Sequence, residues 1–379
     1  MTTPNTENSS KHRYKINIYR NFRRKFLKFD FKKIYVQRSI FEDIIWRSNA
    51  EKIISRFPGA DIVEVESHWK IPELFEADAG DWMRTKRESL VLGIKSGLTH
   101  QKNGRSADFI AASNTNGCLS SCQYCYVARR KGASNPLTVF VNIDEIAHSI
   151  RKHQNKLGAK IEPNQCDDNF WTYDIGCNAD LSADSFVCDN PGFLVKEFTT
   201  MEFAKATFAT KTVRDDYWLS IDPKGKTRIR YSLMPQQIAR YVDIGTSPIS
   251  ERIQSANGLV DAGYEVHFSF APIIVYEGEK WKADWRELWQ EIDDTLTPKV
   301  KAQLKCEAFF LTHSADLHRI NMEWNPKGEE FLWNPRLQVP KKTAPDTLVY
   351  DYNFRRRELS AFSESLAKNL PYCPIRYSF

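Results

Sequence analysis

The sequence predicts an α/β protein built on a partial (β/α)6, TIM-like barrel, with an N-terminal cap region before it and a C-terminal extension after it. Six short strand-like runs carry that prediction: residues 107–111 (ADFIA), 170–175 (FWTYDI), 206–210 (ATFAT), 229–233 (IRYSL), 265–270 (EVHFSF) and 304–310 (LKCEAFF). Stretches of helical pattern separate them, and strands alternating with helices read as parallel βα units that close as an open barrel. Size agrees, since 379 residues with 41% hydrophobic content can bury a large core and fit one enlarged domain as readily as two small ones.

In chain order, residues 1–33 form a basic N-terminal arm, expected to be partly disordered. Its first ten residues are polar, and residues 11–33 carry ten Lys or Arg against one Asp, interleaved with Tyr and Phe. Such a run can track phosphates and stack on bases; the plainer readings are a solvated amphipathic arm or an Arg-rich transit segment. Residues 34–105 are the expected α/β cap, with strand-like runs at 61–65 (DIVEV) and 88–93 (ESLVLG). The barrel is expected over 106–320, and 321–379 is the C-terminal extension, a candidate region for contacting substrate or DNA. Net charge is only +6, and eight irregularly spaced Cys without a secretory leader point to a reducing cytoplasm. No apolar run approaches the length of a membrane span, so no membrane partner is expected.

The loop after the first barrel strand carries Cys118, Cys122 and Cys125, within the run NGCLSSCQYCY at 116–126. Thiolates at C-x3-C-x2-C spacing can hold three irons of a [4Fe-4S] cubane and leave the fourth open. A structural Zn site wants four closed ligands. The next Cys is as distant as Cys166, and His148 and His153 arrive without a second Cys pair to close a Zn frame. An incomplete Zn knuckle and a chance cluster of buried thiols are the competing readings.

These residues resemble the radical S-adenosylmethionine superfamily. More narrowly, CQYCYV at 122–127 followed by VFVNIDEI at 139–146 resembles the spore photoproduct lyase family, over a stretch from Ser89 to Gly278. The resemblance implies a partial barrel holding a [4Fe-4S] cluster on Cys118, Cys122 and Cys125, with S-adenosyl-L-methionine on the open iron. It implies a 5′-deoxyadenosyl radical that reverses a thymine photoproduct in DNA, and an electron donor such as flavodoxin or ferredoxin. Reaching a lesion inside duplex DNA requires flipping it out, at a cost of roughly a few kcal/mol.

Barrels of this kind place their chemistry at the C-terminal strand ends, so the residues there are the candidates. Cys177 follows the second strand; a lone Cys in such a place is usually a small buried hydrophobe, but here it faces the cluster loop across the mouth. The resemblance makes Cys177, with Asp180 behind it, the hydrogen donor to the product radical. Lys211 follows the third strand and can pair with a carboxylate or phosphate. Ser232 on the fourth can hydrogen-bond the amino acid end of the cofactor or simply neighbouring backbone. The family resemblance supports cofactor contact for Lys211 and Ser232, and for the backbone of Ala271 in the run APIIVYEG. It also gives Tyr124 and Tyr126 cofactor contact and radical relay, and Tyr350 and Tyr352 look like a further tyrosine pair. Cys166, Cys188, Cys306 and Cys373 read as packing.

The interval 323–347 is longer and richer in Pro than the short basic hairpin of the family. That departure favours an alternative in which the same cluster acts on another nucleic acid or a metabolite. A non-catalytic Zn or nucleic-acid-binding module is the alternative from a different class.

Overall fold

The computed structural model describes residues 29–75, 81–129, 134–276 and 278–378. The basic arm therefore lies, up to residue 28, outside the described residues. The chain first lays down β1 (Lys33–Gln37), β2 (Asp61–Val65), β3 (Ser89–Gly93), β4 (Gln101–Lys102), β5 (Phe109–Ile110), β6 (Thr115–Asn116) and β7 (Leu137–Phe140). It continues through β8 (Trp171–Asp174), β9 (Ala204–Thr210), β10 (Thr227–Leu233), β11 (Glu265–Ile273) and β12 (Cys306–Phe310). Last come β13 (Thr312–Ser314), β14 (Gln338–Lys341), β15 (Ala344–Tyr350) and β16 (Ile375–Ser378).

All six strands read from the sequence form, as β5, β8, β9, β10, β11 and β12, and they lie side by side in that order as parallel neighbours. One more parallel strand was not legible: β16 returns from the extreme C-terminus to pair with β12. Its four residues, IRYS, are too short and too polar to announce a strand, so the final closure of the sheet is a tertiary event. β4 pairs antiparallel to β5 at the other edge.

Period-two alternation sorts the barrel residues. Ile229, Tyr231 and Leu233 of β10 join Val266, Phe268 and Phe270 of β11 in the hydrophobic core. The helix Lys280–Thr295 covers this layer with Trp281, Trp285, Leu288, Trp289 and Ile292, spaced as one helical face. Trp285 meets Phe270 edge-on at 5.5 Å, and Phe362 of the helix Tyr352–Asn369 packs on both Trp285 and Trp289.

The alternate residues form buried ion pairs instead. Arg228 pairs with Asp167 at 3.0 Å and Glu265 at 2.8 Å, and Arg230 with Asp174 at 2.6 Å and Glu307 at 3.2 Å. Arg376 of β16 pairs with the same Glu307, tying the last strand to the barrel. Such pairs add little net stability over an apolar filling, but losing one partner strands a charge, so they fix which strands meet.

The N-terminal strands build a second sheet in the order β2-β1-β3-β7-β6, so β6 and β7 link the cap sheet to the barrel. A three-stranded antiparallel sheet, β13-β15-β14, stands near the C-terminus. It corrects the expectation for 323–347: the chain does form a hairpin here, β14–β15, with Lys341 and Lys342 at its turn. The prolines hid it from the sequence. Pro340 lies on the edge strand β14, where a missing N–H is tolerated. The loss of a basic hairpin, which favoured a different target, does not occur in this chain. No described helix is long and apolar enough to cross a membrane.

Candidate active site

The cysteine loop leaves β6 through Gly117, whose φ of +100° suits glycine, and a Cβ there would stand 2.9 Å from the Pro136 carbonyl oxygen. Gly117 N donates to Asn178 O at 3.0 Å, which docks the loop on the segment following β8. Ser121 N and Gln123 N donate to Ile244 O and Val242 O at 2.8 and 2.9 Å, and Ser120 Oγ donates to Gly245 O at 3.1 Å. Backbone from two barrel connections thus holds the loop. A cleft of about 270 Å³ beside it is lined by Leu119, Ser120, Thr212, Asp243, Gly245 and Arg252.

None of the eight cysteines is in a disulfide; Cys122 is buried, and Cys118 and Cys125 are half-buried. Burial, then the Asp180 carboxylate, pushes the Cys118 thiol up, and burial, then Asp243, pushes up Cys122. A coordinating metal reverses this by deprotonating the thiol outright. The donor set is three soft sulfurs, which suits an iron–sulfur cluster.

Four of the other candidates meet around a carboxylate that sequence reasoning missed. Asp243, 1% exposed at its side chain, accepts a very short hydrogen bond from the Tyr124 hydroxyl. Its other oxygen accepts from Lys211 Nζ and from both terminal nitrogens of Arg252, each at 3.3 Å. Lys211 Nζ also donates to Ala271 O at 3.3 Å and lies 5.4 Å from the centre of the Tyr124 ring. Arg252 Nη1 donates to Ser232 O at 2.7 Å. The backbone of Ser232 and Ala271 is thereby anchored to the Asp243 group, while the Ser232 hydroxyl has no partner among the described residues. Burial, then Asp243, raises the Tyr124 phenol well above its usual range, so it keeps its proton. Nothing in the sequence singled out Asp243: it follows a short helix, Gln236–Val242, rather than a strand.

Cys177 lies in the segment after β8, and its carbonyl accepts from Ser113 Oγ at 3.4 Å. Asp180 links that segment to the end of β9, accepting from Thr210 Oγ1 at 2.6 Å and from Lys211 N at 2.9 Å. Tyr126, 59% exposed, donates through its hydroxyl to Asn178 Oδ1 at 3.2 Å, one residue from Cys177. The Tyr350 and Tyr352 pair divides: Tyr350 is buried and accepts from Val275 N, whereas Tyr352 is 64% exposed. Cys166, Cys188, Cys306 and Cys373 are all buried, and none lies in the cysteine loop.

The balance at Asp243 gives a prediction. Burial by itself raises its carboxyl, but Lys211 and then Arg252 outweigh burial and hold it below the usual carboxylate range. Asp243→Asn leaves two cations facing a neutral amide, so we expect a loss of roughly 3–5 kcal/mol, the scale for breaking a buried pair. The urea midpoint measures it. Because the folded pKa is depressed, the wild-type contribution is complete above the unfolded value of about 4 and is lost as pH falls through the folded value. The variant should lack that part of the acid slope.

A half-open parallel barrel with a three-thiol loop at its mouth defines a radical S-adenosylmethionine enzyme. A family model described as spore photoproduct lyase matches residues 29–340. The chain belongs to the spore photoproduct lyase family. It is 26% identical over 249 residues to the spore photoproduct lyase of Bacillus subtilis, covering 66% of this chain and 69% of that one. With the enzyme of Clostridium acetobutylicum it shares 26% identity over 251 residues, covering 65% and 70%. A solved spore photoproduct lyase complexed with dinucleoside spore photoproduct shares the fold at a TM-score of 0.78 and 21% identity, over 93% of this chain and 99% of that one. So does a double mutant with bound AdoMet and the same dinucleoside, at 0.79.

Proposed function

We propose that this protein is a spore photoproduct lyase that reverses a methylene-bridged thymine dimer in DNA, with Cys118, Cys122 and Cys125 holding a [4Fe-4S] cluster. The observation that carries the reading is the convergence at one barrel mouth of the cysteine loop, the Cys177–Asp180 segment and the Tyr124–Lys211–Asp243 group. When bound, the cluster and S-adenosyl-L-methionine supply a carbon radical able to take a hydrogen atom from the lesion.

The chain's own residues do the rest. The Ser232 hydroxyl and the Ala271 backbone would bind the cofactor's polar groups, and Tyr124, fixed by Asp243, would contact it when it is bound. Lys211, pinned by Asp243 and Ala271, brings positive charge to the mouth. After the bridge opens, the Cys177 thiol gives its hydrogen atom to the product thymine radical and becomes a thiyl. Tyr126, held one residue away through Asn178, would return a hydrogen atom to that sulfur from its phenol, and the tyrosyl radical so formed would be restored by one electron from the reduced carrier and one proton from solvent. Lys341 and Lys342, at the β14–β15 turn, would supply cations to backbone phosphates. A small reduced electron carrier, flavodoxin or ferredoxin, supplies the electron in a reducing cytoplasm.

Anaerobic turnover of DNA irradiated dry with ultraviolet light tests the substrate. Restored thymine together with 5′-deoxyadenosine is expected. Cofactor cleavage with no thymine returned would transfer the chemistry to another nucleic acid or a metabolite.

A further inference from the structure

Away from the cysteine loop, three side chains of metal-ligand type come together on three consecutive elements. His313 lies on β13, His318 on the helix Ala315–Trp324, and Glu329 on the helix Pro326–Leu332. Their ligand atoms all lie within 4.8 Å of one another, the only such group of three or more His, Cys, Asp or Glu among the described residues. His313 Nε2 is 3.0 Å from Glu329 Oε2, and His318 Nδ1 is 2.6 Å from the same oxygen. We propose that His313, His318 and Glu329 form a second metal site, for one divalent first-row transition cation of the Zn2+ or Fe2+ type.

Chemistry selects that class of ion. Two imidazoles and one carboxylate suit Zn2+ and Fe2+, whereas Mg2+ and Ca2+ prefer oxygen alone. Bonds of about 2.0–2.1 Å set tetrahedral ligand atoms about 3.3–3.4 Å apart, so an ion entering here replaces the direct His313 and His318 contacts with Glu329, at 3.0 and 2.6 Å, by a small outward shift of the two rings. Three protein ligands leave a coordination position open, and His318, whose side chain is 26% exposed, gives the ion a way in to the buried His313 and Glu329. The surroundings resemble the outer shell of a metal site. Asn321 Nδ2 holds the second carboxylate oxygen at 2.5 Å, and Trp324 Nε1 fixes Asn321 Oδ1 at 3.0 Å. Trp333 stacks on the His318 ring with centroids 4.0 Å apart and planes 13° from parallel.

The site is coupled to the cysteine loop through Gln123, between Cys122 and Cys125. Asn321 Nδ2 also donates to Gln123 O at 2.9 Å, and Gln123 Nε2 donates to Asn325 O at 2.9 Å. Gly328 lies so close that a Cβ there would fall 1.5 Å from Gln123 Oε1. An ion joining β13 to both helices therefore clamps the clasp in which Gln123 sits. Its task is to position the loop, not to react with substrate.

The test uses the full chain with Cys118, Cys122 and Cys125 all changed to Ala, so that its outcome does not depend on the cluster. Co2+ added without oxygen is expected to bind at about one equivalent, with visible absorption bands, and Zn2+ should displace it and raise the melting temperature. His318→Gln in the same background, and Glu329→Gln as a second variant, should weaken Co2+ binding at least tenfold while circular dichroism stays unchanged. Metal content of the unaltered protein, purified without oxygen, separates the two ions: one zinc per chain, or one iron beyond the cluster's four. No Co2+ or Zn2+ bound by the cysteine-free chain, or equal binding after His318→Gln, would leave only a hydrogen-bonded trio and overturn the proposal.

Discussion

Cys118→Ala is expected to abolish cluster assembly and, with it, cleavage of S-adenosyl-L-methionine. The expectation rests on ligand count. In the proposed site three thiolates hold the cubane, and no other Cys belongs to the loop: Cys166, Cys188, Cys306 and Cys373 are buried in other parts of the chain, and Cys177 lies in the segment after β8. A loop reduced to two sulfurs has no spare ligand to recruit. Iron should fall from about four per chain to background in protein reconstituted without oxygen. Formation of 5′-deoxyadenosine should drop by about a thousandfold or more, equivalent to roughly 4 kcal/mol of barrier. The fold should survive, because the loop is anchored by backbone hydrogen bonds from Gly117, Ser121 and Gln123 rather than by the Cys118 side chain. Full 5′-deoxyadenosine production by the variant would reject the cluster assignment.

Cys177→Ala should separate the first half of the reaction from the second. Hydrogen abstraction and bridge opening need no thiol, so cofactor cleavage should continue at a comparable rate. Quenching of the product radical does need one. Without it the radical takes hydrogen or another partner from whatever is at hand, and the thymine share of the products should fall about tenfold, which corresponds to 1.4 kcal/mol. Chromatography of the digested DNA reads this directly. The position supports the expectation: Asp180 ties the Cys177 segment to β9 and the Lys211 backbone, while Asn178 meets both Gly117 and Tyr126. An unchanged product distribution would return Cys177 to a packing role.

Both predictions start from residues that were legible in the sequence, and so were the six parallel strands. Each is a local signal: a spacing of thiols on one loop, or an apolar run bounded by breakers. What escaped was non-local. Asp243 and Arg252 carry no motif, and their importance exists only because β9, β10 and β11 bring Lys211, Ser232 and Ala271 around one carboxylate. The β14–β15 hairpin was masked by prolines that an edge position tolerates. His313, His318 and Glu329 have unremarkable spacing, and only the packing of β13 against two short helices aims them at one point.

By itself, then, the sequence determined the barrel class, the cysteine loop and the strand-end residues, because hydrophobic period and ligand spacing are properties of short segments. The tertiary structure alone decided how those residues are held. It supplied the buried countercharge at Asp243, closure of the sheet by β16 through Arg376 and Glu307, and the clasp of Gln123 by the C-terminal helices. The physical reason is that a charge taken out of water needs its partner within a few ångströms in space, wherever that partner stands along the chain.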